Sequence, residues 1–109
     1  MSPANGSPCY LSALGLVNAL GIGKILISEG LFAGNTSGMV LEEDWLPGGP
    51  ARVGRANISL PEIPQGFEND ISRNNRLLLS ALEEIRTEVD AEIARWGRDR
   101  VGIVLGTST

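Results

Sequence analysis

Apolar positions along this chain group in two ways, as short continuous runs and as a helical repeat, and the two kinds alternate. Cys9 to Val17 (CYLSALGLV) is a continuous run bounded by Ser7-Pro8 and Asn18, which predicts a strand buried on both faces. Gly15 inside that run predicts a bend or the close approach of another backbone. From Gly21 the spacing changes: Ile22, Ile25, Leu26 and the stretch Glu29 to Phe32 predict a helix of roughly three turns, weakened by Gly30 and closed at Gly34. The loop AGNTSG ends it.

Between Val40 and Pro50 the pattern breaks down. Glu42, Glu43, Asp44, Trp45 and a Pro-Gly-Gly-Pro run predict an irregular excursion. Arg52 to Leu60 (RVGRANISL) alternates well enough for an exposed or edge strand, stopped by Pro61 and Pro64. The longest repeat comes next. Asp70 or Ser72 supplies a helix cap, and Leu77, Leu78, Ala81, Leu82, Ile85, Val89, Ile93 and Trp96 then recur at three-to-four spacing through roughly five turns. Glu83, Glu84, Arg86, Glu88, Asp90 and Glu92 take the polar face, and Gly97 closes the helix. Val101 to Leu105 is a final strand without a polar side chain. Strand, helix, strand, long helix and buried strand predict a layered α/β protein with a mostly parallel or mixed sheet flanked by helices. The buried strands need neighbours on both sides, and the chain supplies few of them.

Composition narrows the chemistry. At 109 residues the chain holds one domain at most, and 14 glycines beside few aromatics predict many turns around a light core. The net charge is −4, and the eight arginines and single Lys24 form no basic block, so a nucleic-acid partner is not expected. One cysteine and no histidine leave neither an internal disulfide nor a Cys/His zinc site, and no metal or other cofactor is implied. A reducing, cytoplasmic setting is the natural one for such a chain. Tyr10 to Gly23 is too short for a membrane span of about 20 residues, and no basic side chain precedes it as a signal peptide requires.

Three motifs invite a site. Gly21-Ile22-Gly23, between strand and helix, has the look of a dinucleotide turn, but Leu26 replaces the third glycine, and Asn18 and Ile25 break the Walker spacing. It reads as a structural turn. Cys9 opens an apolar strand without a basic neighbour and reads as a buried, inert thiol rather than a nucleophile. Thr107, Ser108 and Thr109 follow a strand end, where α/β ligand sites lie, but no base stands near in sequence to activate them. The acids at helical spacing are explained by solvation of a polar face.

Taken in order, several stretches resemble the N-terminal region of the β-ketoacyl-acyl-carrier-protein synthases, condensing enzymes of the thiolase fold. ALGLVNALG (Ala13 to Gly21) resembles that family's first strand and turn, and GLFAGNTSGM (Gly30 to Met39) its first helix end. ARVGRANI (Ala51 to Ile58) resembles the strand after the first excursion. SRNNRLLLSALEEI (Ser72 to Ile85) resembles the start of the long helix that leads to RVGIVLGTST. Ala13, Asn18-Ala19 and Asn74-Asn75 depart from the family pattern and point to a divergent branch, such as those of aryl-polyene-type or other specialised lipid clusters.

The resemblance implies an incomplete thiolase-like layered fold, residues 1–109 being the N-terminal portion of the synthase's N-terminal domain, cut before the nucleophile. It implies an acyltransferase of fatty acid or polyketide-type biosynthesis, with acyl carrier protein as partner and a homodimer as the complete form. The family's cysteine and histidines lie downstream, so no catalytic residue is carried over, Cys9 does not match the nucleophile, and the chain alone is expected to be inactive. The loop Gly106, Thr107, Ser108 and Thr109 is implied to line the acyl pocket near the subunit interface. Arg73 and Arg76 are basic candidates for carrier docking. The competing readings are a non-catalytic α/β interaction domain that dimerises through its sheet and, more remotely, a nucleotide-binding domain.

Overall fold

The computed structural model describes residues 6–106. Residues 6–16 form no regular element and lead to a tight hairpin, strands β1 (Val17–Asn18) and β2 (Gly21–Ile22). Asn18 Oδ1 accepts the Leu20 N–H at 2.9 Å, and Gly21, at φ 135°, turns the chain where a side chain would be strained. Helix α1 (Lys24–Phe32) follows from Gly23. It ends as the sequence predicts: Gly34 is left-handed at φ 68°, Asn35 N–H reaches Gly30 O at 2.9 Å and Gly34 N–H reaches Leu31 O at 3.1 Å, a Schellman closure.

The expected irregular excursion is instead an ordered hairpin. Strands β3 (Met39–Leu46) and β4 (Gly49–Gly54) pair antiparallel, with Val40 opposite Val53 and Glu42 opposite Ala51. Pro47-Gly48 is only the two-residue turn between them, so the Pro-Gly-Gly-Pro run punctuates a ladder rather than replacing one. The irregularity is confined to a bulge between Glu42 and Leu46, where Asp44 takes φ 69°. The strand expected over Arg52 to Leu60 therefore stops at Gly54.

The long amphipathic repeat folds as two helices, α2 (Arg73–Glu83) and α3 (Arg86–Trp96). Ser72 caps α2, its hydroxyl accepting the Asn75 N–H at 3.0 Å. The break lies at Ile85, whose φ −117° and ψ 14° leave the helical region, while its N–H closes a tight turn on Leu82 O. Periodicity continues across the break because the kink removes no residue from the repeat.

Residues 15–17 lie directly on α2. A β-carbon placed on Gly15 would stand 1.9 Å from Ala81 O, so the close approach predicted for this glycine is present. Ile27, 5% exposed, and Ser80, 3%, are buried among the described residues. The class is mixed α/β, as expected; both ladders among the described residues are antiparallel. Two flanking runs do not form the strands predicted for them. Between Cys9 and Val17 only Val17 pairs, and Leu11 is 99% exposed; Val101 to Leu105 is unpaired, with Val104 97% exposed. A buried strand exists only with neighbours to bond its backbone, and the described residues offer none to either run.

Candidate functional site

A groove of about 720 Å³ lies between the β3–β4 hairpin, the β1 turn and the start of α2. Val17, Ala19, Val53 and Leu77 make its apolar walls, and Glu42, Trp45, Arg55 and Arg73 its polar end. The polar end is tightly organised. Glu42 accepts the Trp45 indole N–H at 2.7 Å across the bulge and the Arg55 Nε–H at 2.6 Å, and Arg55 Nη2 donates to the same carboxylate. The Trp45 hydrogen bond first, and then the Arg55 guanidinium, hold the Glu42 carboxyl below the usual carboxylate range. With its oxygens engaged by an indole and a guanidinium, Glu42 serves as a brace between the bulge and the residue after β4, rather than as a free base.

The arginines expected as docking candidates also tie the fold together. Arg76 Nε donates to Pro61 O at 2.9 Å and its Nη2 to Leu60 O at 3.0 Å, with Glu62 Oε1 3.2 Å away. Arg73 Nη2 donates to Ala56 O at 2.9 Å. Together they fasten residues 56–62 along α2, a fixed fork meeting backbone carbonyls that lack strand partners.

The other sequence candidates fall apart from this groove. Cys9 is exposed, not buried as predicted, because the run it opens has no sheet to enter. Gly21-Ile22-Gly23 is a structural turn, as predicted: Gly23 N–H bonds Leu16 O at 2.9 Å, and Glu84 Oε2 would stand 3.1 Å from a β-carbon placed on Gly23. That carboxylate lies over the start of α1, where Gly23 offers no side-chain cap. Of the terminal loop, Gly106 is exposed, and Thr107, Ser108 and Thr109 lie outside the described residues. Among the described residues no three His, Cys, Asp or Glu side chains converge on a point that would hold a metal. Nor is any helix among them long and apolar enough to cross a membrane.

Sequence reading missed the Glu42–Trp45–Arg55 brace. Its only signal is the pairing of oppositely charged residues thirteen positions apart, visible once the hairpin register is known.

Hairpin, capped helix and backbone-clamping arginines together form a mixed α/β unit. No family model and no curated protein matches the chain. A solved structure does: a chain of the complex between the ketosynthase ApeO and its chain length factor ApeC, from Xenorhabdus doucetiae. The similarity has a TM-score of 0.76 and 42% sequence identity, and covers 82% of the present chain and 23% of that chain. The chain thus spans about a quarter of the length of the protein it matches, and the resemblance expected from its motifs is present in its fold.

Proposed function

We propose that residues 1–109 are the N-terminal portion of the N-terminal domain of a 3-oxoacyl-acyl-carrier-protein synthase. The observation that carries this reading is the agreement in fold with a ketosynthase at 42% identity over 82% of the chain. The reaction is a decarboxylative condensation. A cysteine thiolate attacks an acyl thioester, taking the acyl group and releasing the carrier thiol. A malonyl thioester then loses carbon dioxide, and the carbanion attacks the acyl-cysteine, forming the carbon–carbon bond and freeing the thiolate. That chemistry needs an activated cysteine, an oxyanion hole and imidazoles, and a chain with no histidine supplies no imidazole. Residues 1–109 are the scaffold part: inactive alone, working in the cytoplasm within a homodimer that receives its substrates on acyl carrier protein. The loop Gly106 to Thr109 borders the acyl pocket near the subunit interface.

The test is a chimera in which this chain replaces the matched segment of the Xenorhabdus ketosynthase. Condensation of acyl and malonyl carriers by the chimera, with none by the chain alone, is the expected result. A folded chimera without condensing activity overturns the reading, as does activity in the isolated chain.

A further inference from the structure

The groove between the β3–β4 hairpin and α2 has the make-up of a small-molecule site, apolar over most of its surface with a few polar groups gathered at one end. Val17, Ala19, Val53 and Leu77 are half-buried, and their side chains offer no hydrogen bond. The volume, about 720 Å³, lies within the range of ligand pockets.

Charge at the polar end is not balanced. Glu42 is committed to Arg55, which bonds through Nε and Nη2 and keeps Nη1 to donate elsewhere. Arg73 gives one N–H to Ala56 O and has no carboxylate partner among the described residues, which leaves its Nε and Nη1. Two guanidiniums beside one carboxylate leave a single positive charge against an apolar wall. A monoanion matches that surplus, whereas a phosphate ester, close to doubly charged at neutral pH, exceeds it. The planar fork of a guanidinium also fits a carboxylate in shape, and the exposed Trp45 indole lines the same end, where it adds apolar surface. We infer that this groove binds a small molecule carrying one carboxylate on a compact apolar body. Arg73 and Arg55 receive the carboxylate, and the body lies along Val17, Val53 and Leu77. The inference rests on the groove's own residues and goes beyond the proposed reaction, which it does not require.

The experiment titrates residues 1–109, with Trp96→Phe so that Trp45 is the only indole, with three probes: cyclohexylacetate, 2-cyclohexylethanol and cyclohexylmethyl phosphate. Trp45 fluorescence should change saturably with the carboxylate, and the alcohol and the phosphate should each bind at least about tenfold more weakly, the worth of a hydrogen-bonded charge. Arg73→Gln should weaken the carboxylate by a similar factor and leave the alcohol unchanged. Arg86→Gln, on α3 and outside the groove, should change neither. Circular dichroism checks that Arg73→Gln stays folded without its bond to Ala56 O, and the ranking of the three probes on the unsubstituted groove decides the matter even if it does not. Binding indifferent to the head group, tighter binding of the phosphate, no saturable response, or an unchanged carboxylate affinity in folded Arg73→Gln overturns the inference.

Discussion

Gly15 and Gly38 are needed for the side chain they lack. A β-carbon on Gly15 would stand 1.9 Å from Ala81 O, and one on Gly38 1.9 Å from Ala19 O, so two backbone crossings close only over glycine. Gly15→Ala and Gly38→Ala should each destabilise by about 1–3 kcal/mol or more, the range for inserting atoms into a packed contact. Gly48→Ala, with nothing within 4 Å of its added carbon, should stay within about 0.5 kcal/mol. Denaturant midpoints of the chimera carrying each change would rank them, and an indifferent Gly15→Ala would contradict the crossing. Glu42 gives a pH prediction. Its carboxyl is held below the ordinary range by Trp45 and Arg55, so the brace contributes stability fully present above the unfolded carboxylate pKa and lost as pH falls through the folded one. The Glu42–Trp45 contact, followed by the Trp45 indole N–H resonance, should hold at neutral pH and be lost only once the pH falls below the ordinary carboxylate range. In Glu42→Gln the acid step should vanish; a step that persisted would assign it to another carboxylate.

At the scale of elements, what was legible in sequence is what local chemistry determines. The Ser72 cap, the Schellman closure at Gly34 and the helix end at Gly97 were all readable, because each depends on residues within a turn of one another. The hairpin was not readable: Glu42, Glu43 and Asp44 hide the alternation, and the bulge at Asp44 shifts it. The break at Ile85 was hidden because apolar spacing runs through it unchanged. Arg76 was legible only as a charge, whereas its work is to satisfy Leu60 O and Pro61 O on a segment without strand partners. Arg76→Ala should cost about 1.5–3 kcal/mol, the worth of hydrogen bonds to a charged group. Arg76→Lys should recover little of it, since an ammonium cannot reproduce the fork. Hydrogen exchange across residues 56–67 would register the loss as faster exchange there than in α3, and uniform exchange throughout would argue against the clamp.

For the whole molecule, chain and surface do not balance. The radius of gyration is 18.0 Å, where a compact domain of this length has about 13 Å. Side chains that a complete core would cover stand open at both flanks, Tyr10, Leu11 and Leu14 on one side and Ile103, Val104 and Leu105 on the other. These are the two runs whose continuous apolar pattern predicted buried strands, so the sequence reports an environment that the described residues do not by themselves create. Covering one such side chain is worth about 1.5–3 kcal/mol, and the open ones together form an adhesive surface. The chain by itself should therefore associate as its concentration rises, and it should bind a hydrophobic dye that the chimera does not. Small-angle scattering over a dilution series, with dye fluorescence beside it, reads both effects. A monodisperse monomer with a radius near the compact value and no dye binding would mean that the chain closes its own core, and the scaffold role would have to be given up.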